Sequence, residues 1–174
     1  MSPSQSKRIA EFLVFILVLM ASPGIVFGAS KSERESLKGM SGVLVSVDVK
    51  KQSLETHGIT EAMLKTDVEM KLRVARIKVF DNRNDPDLDR TGRPELSIGV
   101  VAIKFDPAAV YVFLISLTQD VNLSRGKNPV RATTWIRMGE SHGGVDDAHE
   151  GIREKIGDVV DAFINDYLAA NPKK

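Results

Sequence analysis

The sequence predicts an α+β fold: a two-layer sandwich in which a mostly antiparallel sheet of about five strands packs against two helices, in the order β-α-β-β-β-β-α. Three observations support this prediction. Residues 110–123 alternate apolar and polar side chains with the period of a half-buried strand. A second apolar run, 96–105, precedes them closely, as in a hairpin. Two segments, 61–75 and 152–170, carry apolar residues at the spacing of amphipathic helices.

The first 29 residues are typical of a cleavable signal peptide. Lys7 and Arg8 precede an unbroken apolar run, Phe12–Met20, and small residues follow where cleavage is expected. The alternative is an uncleaved anchor, because Phe12–Ala29 is barely long enough to span a bilayer. The chain has no cysteine, which excludes a lipid attached through one. We expect an exported protein, in a bacterial periplasm or secreted, without membrane attachment after cleavage.

After the signal peptide, residues 30–41 are polar and predict a flexible leader, and residues 42–172 predict a single globular domain. The full chain carries a formal net charge of +1, and removal of Lys7, Arg8 and Glu11 leaves a neutral mature chain. Nucleic acid is therefore not an expected partner. An exported domain without disulfides must rely on its hydrophobic core for stability.

The first strand and the first helix follow the leader. Valines alternate with other side chains over residues 43–49, which predicts a strand. Thr60 is the expected N-cap of a helix over 61–75, whose apolar stripe faces the core. A short strand is expected at 77–80.

Residues 81–95 form the longest polar stretch of the mature chain. Asp85, Asp87 and Asp89 match the first ligands of a calcium-binding loop, but Arg90 and Leu96 stand where that loop needs glycine and glutamate. A solvated, mobile loop is therefore expected, with calcium binding as the alternative.

The length of the connection between the two strands of the hairpin should determine which residues pair across it. If residues 106–109 form a four-residue connection, Phe105 lies opposite Val110 and Val100 lies opposite Ile115. The two alternations then agree on which side chains face the core, and this agreement supports the register.

The same register sends six apolar side chains to the other face of the sheet, where a half-exposed sheet usually carries polar residues. These residues are Val101, Ile103, Phe105, Val110, Val112 and Leu114. We interpret them as a binding surface for a protein partner or for a second copy in a homodimer. The alternative is that the leader, the 81–95 loop or a helix end covers them.

A last strand is expected from Pro129 to about Met138. Its even-numbered positions are assigned to the core, so that Arg131, Trp135 and Arg137 extend the binding surface. The reverse orientation, with Trp135 buried, stays open because one large aromatic side chain can outweigh several small ones.

A glycine-rich loop, 139–145, leads to the final helix, which Asp146 or Asp147 should cap. His142 and His149 lie on either side of these aspartates and are the candidate metal ligands, but their spacing matches no known ligand pattern. We therefore expect no metal, cofactor or catalytic residues. The expected function is a non-enzymatic binding module, and the alternative is a small-molecule or metal-dependent enzyme that uses the 140–150 loop.

Overall fold

A computed structural model describes residues 29–49, 58–105, 108–126, 128–144 and 148–172. The predicted signal peptide and the two candidate caps of the last helix, Asp146 and Asp147, lie outside the described residues. In chain order the elements are α1 (Lys31–Ser36), β1 (Gly42–Val49), α2 (Glu61–Val74), β2 (Lys78–Phe80), α3 (Pro86–Arg90), β3 (Glu95–Phe105), β4 (Ala108–Asn122), β5 (Pro129–Gly144) and α4 (Ala148–Ala170).

These elements form an α+β fold around one five-stranded mixed sheet, in the spatial order β2-β1-β3-β4-β5. Strand β1 runs parallel to β2 and β3, whereas β3, β4 and β5 are antiparallel neighbours. The predicted fold class and the order of five strands and two long helices are confirmed, and the short helices α1 and α3 add to them. None of the helices in the described ranges is both long and apolar enough to cross a membrane.

Helices α1, α2 and α4 all pack on one face of the sheet, which we call the inner face. The core joins strand residues such as Ile98 and Phe113 to helix residues such as Leu64 and Phe163. Helix α2 begins as predicted, since the Thr60 hydroxyl accepts a hydrogen bond of 3.2 Å from an amide of the first turn. We call the opposite face the outer face, and α3 is the described helix that packs on it.

Helix α1 replaces the flexible leader that the polar composition of residues 30–41 predicts. The Ser30 hydroxyl accepts from the Glu33 amide at 3.2 Å, and the Glu33 carboxylate accepts from the Ser30 amide at 2.7 Å, so the two residues form a capping box. Leu37 and Met40 are buried in the core and anchor the segment. The prediction of a flexible leader is therefore wrong, because two buried apolar side chains outweigh the polar residues around them.

The β3–β4 hairpin keeps its predicted faces but not its predicted pairs. Phe105 pairs with Ala108, and Val100 pairs with Phe113 instead of Ile115. The connection between the paired strands is therefore two residues long, not four. Because the register moves by two residues, every side chain stays on its predicted face.

Strand β5 keeps its predicted faces up to Thr133 and has the reverse of them from Trp135 onward. Leu117 pairs with Trp135 while Thr118 pairs with Thr133, so Thr134 is an extra residue in a β-bulge. Trp135 is fully buried on the inner face, whereas Met138 is 73% exposed. The assignment of the even-numbered positions to the core holds for Val130 and Ala132, which pair with inner-face residues of β4. It is wrong for Ile136 and Met138, because burial of Trp135 determines which face turns inward beyond the bulge.

Residues 81–95 are also more ordered than expected. The Asp85 carboxylate caps α3 by accepting from the Asp87 amide at 2.9 Å, and Asp87 pairs with Lys78 at 2.8 Å. Leu88 packs against Leu44 and Phe80. This segment therefore covers the outer face only over β1 and β2. All three aspartates considered for calcium have partners within the chain, since Asp89 lies 3.4 Å from Arg93.

Candidate functional site

The most unusual surface of the described structure is an apolar area on the outer face, across β3, β4 and β5. Val101, Ile103, Leu114 and Ile136 are 41–47% exposed, and Val110 and Val112 are half-buried. Apolar side chains next to one another on neighbouring strands form a surface of a few hundred Å², the size at which exposed patches usually mark interaction sites. We call it the outer patch, and it consists of Val101, Ile103, Val110, Val112, Leu114, Ile136 and Met138.

Strand register makes the outer patch continuous. Leu114 lies at its centre, paired with Met138 of β5 on one side and Gly99 of β3 on the other. Val112 pairs with Val101 two residues along each strand from the pair of Leu114 and Gly99, toward the connection between β3 and β4. Side chains on one face of paired strands lie about 5 Å apart, so these residues form one surface.

The described parts of the segments named as the alternative cover of this surface lie elsewhere. Helix α1 packs on the inner face, where the Ser36 hydroxyl reaches the carbonyl of Thr134. Residues 81–95 pack over β1 and β2 through Leu88. Helix α4 packs on the inner face through Ile152, Ile156 and Phe163. No described segment therefore shields the outer patch, while the side chain of Phe105, which was predicted to belong to it, lies outside the described residues.

Arg131 is on the outer face but at the opposite, polar end. Its guanidinium donates to Glu95 at 3.0 Å and to the carbonyl of Arg93 at 2.6 Å, and lies 3.6 Å from Asp120. Ser46 and Ser97 share a hydrogen bond of 2.9 Å on the same half of the face. Arg131 therefore stabilises the end of the sheet and does not extend the outer patch.

Trp135 and Arg137 were predicted to extend the surface, and the structure turns both inward. The Trp135 indole N–H donates to the Asp166 carboxylate at 3.1 Å, and its ring meets Phe163 edge to face at a centroid distance of 5.2 Å. Arg137 stacks on the Trp135 ring at 4.7 Å and pairs with Glu33 at 2.9 Å. This cluster joins α1 and α4 to β5 on the inner face, away from the outer patch.

Glu33 is the acidic residue that links α1 to this cluster. Burial alone would raise the pKa of its carboxyl group, but hydrogen bonds from Ser30 and from Arg137 outweigh burial and hold the pKa below its ordinary value of 4.5. The charged carboxylate is therefore the form that the folded protein stabilises.

The candidate metal ligands are not brought together by the described part of the chain. His142 is exposed on β5 and pairs with Val110 in the strand register. The side chain of His149 lies outside the described residues, as do Asp146 and Asp147. Among the residues that the structure describes, no group of three His, Asp or Glu side chains is arranged to hold a metal ion.

Two clefts lie on the described surface, and one of them is too small for most ligands. One lies between α2 and α4 and measures about 230 Å³ above Val68 and Ile156. Its rim is closed by ion pairs, such as the one between Arg153 and Asp67 at 2.8 Å. A wider, open cleft of about 500 Å³ lies along β1 beside the start of α2. The first is smaller than usual ligand pockets, and the second is a groove of mixed polarity at the sheet edge.

Sequence reasoning missed two members of the outer patch, Ile136 and Met138. Their alternation with Trp135 and Arg137 is plain in the sequence, so the signal was present. Once Trp135 is assigned to the core, the same period places both residues on the outer face.

No known protein family matches the sequence, and no curated protein matches it. Two solved structures are similar to this chain. One is a dodecamer of a PelC variant from Paraburkholderia phytofirmans, with 17% identity, a TM-score of 0.39, and coverage of 79% of this chain and 91% of the other. The second is a minor lipoprotein from Acinetobacter baumannii, with 9% identity, a TM-score of 0.26, and coverage of 75% and 87%. At these values neither similarity bears on function.

Proposed function

We propose that this protein is an exported, non-enzymatic binding module of the cell envelope that docks a protein chain through the outer patch. The single observation that carries the proposal is the exposure of this patch on three adjacent strands. A soluble monomer gains nothing from leaving such a continuous apolar surface in water, whereas a partner that covers it gains the hydrophobic free energy of burial.

Export is supported by the basic residues and the apolar run of the first 29 residues. Cleavage after Gly28 also fits helix α1, because it keeps Ala29, which is buried in the core, and Ser30, which caps the helix. Mass spectrometry of the exported protein should find a new N-terminus between Gly28 and Ser30. A full-length chain retained in the membrane would contradict the export proposal.

Docking is tested by making the outer patch polar without touching the core. The double variant Ile103→Thr/Val112→Ser keeps good strand formers or small residues at both positions, so its melting temperature should stay within a few degrees of the original. Sedimentation should show loss of association, whether with itself or with a partner. The double variant Thr66→Ala/Asn165→Ala, with both changes on exposed helix positions of the other layer, is the matched control.

A large fall in melting temperature with unchanged association would show instead that the patch is ordinary core. That outcome would refute the proposed docking function. Replacing a buried apolar side chain by a polar one lowers the free energy of unfolding by about 1–3 kcal/mol, whereas an exposed one costs little.

A further inference from the structure

The residues around Leu114 suggest what covers the outer patch. Three outer-face positions lie in one row across the sheet, and neighbours in this row are one strand spacing, about 4.8 Å, apart. They are Gly99 on β3, Leu114 on β4 and Met138 on β5. The row therefore has a side chain at its centre, a glycine on one side and a long side chain on the other.

Gly99 makes a notch in this row. A Cβ atom at Gly99 would meet no other atom within 4 Å, so the space above it is open. Met138, at 73% exposure, has the largest exposed fraction in the outer patch. An unbranched methionine side chain adapts to irregular gaps better than any other apolar residue. The surface thus carries a protruding side chain and a hollow at equal distances from Leu114.

A two-fold axis can bring these two features together. An axis that lies between two facing sheets, runs along the strands and passes over Leu114 exchanges the two sides of the row. Met138 of one copy then faces Gly99 of the other, twice, while Leu114 meets its own copy. Facing sheets usually cross at about 30°, so the axis would be inclined by about 15° to the strands.

We propose that the outer patch binds a second copy of this chain, in a face-to-face homodimer that seats Met138 of each copy over Gly99 of the other. This inference rests on the proposed docking function and names its partner. The symmetric arrangement buries Val110, Val112 and Leu114 along the axis. It also places Glu140 of each copy over Val101 of the other and His142 over Ile103, on the edge strand β5, where the polar ends of both side chains extend to the water at the rim.

The size and charge of the face fit a dimer. The whole outer face of β3, β4 and β5, taken as three strands about twelve residues long, covers roughly 600 Å² as a flat area, and the outer patch supplies a few hundred Å² of it. The protruding side chains add accessible surface to this flat area and bring it close to the 800 Å² or so that each partner contributes to a standard interface. The mature chain is formally neutral, so two copies approach without net repulsion. An isologous contact of this kind also closes on itself and does not extend into filaments.

The absence of native cysteine makes the geometry directly testable. Three single variants, Gly99→Cys, Leu114→Cys and Met138→Cys, are oxidised separately and in an equal mixture of the first and third. Facing positions of packed sheets can form a disulfide. Leu114→Cys should cross-link with itself, and the mixture should cross-link far more than Gly99→Cys or Met138→Cys alone. In each of those two alone, the thiols lie about two strand spacings apart, roughly 10 Å, which is beyond disulfide reach.

Thr66→Cys, at an exposed position of α2, is the control for random collision. Cross-linking of the mixture at or below this control would overturn the proposed dimer, and so would self-cross-linking of Met138→Cys that exceeds the mixture. Sedimentation adds a second measurement, because Gly99→Leu should fill the notch and weaken dimerisation at least tenfold with little change in the melting temperature of the monomer. Unchanged dimerisation in Gly99→Leu would equally overturn the arrangement.

Failure of the dimer is distinguishable from failure of the docking function. If the chain stays monomeric up to several hundred micromolar, but the Ile103→Thr/Val112→Ser variant melts normally, the patch is still an exposed surface and only its occupant is wrong. If that variant melts far below the original, the docking function fails as well.

Discussion

Two glycines on the sheet provide a sharp test of how the two faces differ. Gly139 pairs with Phe113 on the inner face, and Gly99 lies on the outer face, and neither has a positive φ. A Cβ at Gly139 would lie 2.9 Å from two ring carbons of Phe113 and closer still to the ring tip, whereas a Cβ at Gly99 meets nothing within 4 Å. The same substitution by alanine should therefore have opposite effects at the two positions.

The magnitude follows from the contact distances. Carbon atoms normally stay about 3.5–4.0 Å apart, so the Phe113 ring would have to move by roughly 1 Å in a close-packed core. Such overpacking costs about 1–3 kcal/mol. Replacing glycine in a strand recovers roughly 0.5–1 kcal/mol. We expect Gly139→Ala to lower the free energy of unfolding by about 1–2 kcal/mol, and Gly99→Ala to leave it unchanged or raise it by up to about 1 kcal/mol.

Urea denaturation measures both effects, and Trp135 is a suitable probe because it is the only tryptophan and is fully buried. Low protein concentration keeps association out of the measurement. The double variant Gly139→Ala/Phe113→Leu removes the ring carbons, so the cost of the alanine should largely disappear. The ring does not pack over Gly139 if the changes in unfolding free energy of the two single variants instead sum to that of the double variant within about 0.5 kcal/mol. The same follows if Gly139→Ala lowers the free energy of unfolding no more than Gly99→Ala does.

Two further predictions concern the inner face. Phe113→Ala should cost about 3–5 kcal/mol, since it empties a buried aromatic site, whereas Ser116→Ala on the outer face of the same strand should change stability by less than about 0.5 kcal/mol. Equal losses of unfolding free energy in urea denaturation would mean that the faces are assigned wrongly. The second prediction concerns pH: because the folded protein lowers the pKa of Glu33, the contribution of this carboxylate to stability is complete above the ordinary pKa of 4.5 and is lost as the pH falls through the lower folded pKa. Glu33→Gln should thus be less stable at pH 7 and lose less stability on acidification, and parallel pH curves would contradict this expectation.

Local signals in the sequence predicted most of the fold. The alternation of β4 and the cap and stripe of α2 depend on neighbouring residues alone, and the structure confirms both. Helix α1 was missed although Ser30 and Glu33 have the spacing of a capping box, because the polar composition of the segment was given more weight. Burial of Leu37 and Met40 depends on contacts with distant elements, which a local pattern does not contain.

The errors in the sheet have a different origin. The connection at 106–107 is two residues shorter than expected, and the bulge at Thr134 changes the phase of β5. In a hairpin the register is fixed by the turn type and the loop length, and a bulge inserts one unpaired residue, so the alternation of apolar residues reveals neither. A shift by two residues preserves the faces, so five members of the outer patch could be placed correctly even though their cross-strand partners were wrong. An inverted phase does not preserve them, so Trp135 and Arg137 were placed on the wrong face.

Strand propensity does not explain the composition of the outer patch. Valine and isoleucine favour strands even where they are exposed, so Val101, Ile103 and Ile136 alone would not require a partner. Leucine and methionine lack this preference, and Leu114 and Met138 occupy the centre and the most exposed position of the patch. The polar half of the same face uses serine and threonine, which shows that polar side chains are compatible with these strands.

A methionine that is 73% exposed on an edge strand is also a site for unwanted association unless something covers it. Coverage by a partner accounts for both residues, and that is the reason for testing Leu114 and Met138 before any other position.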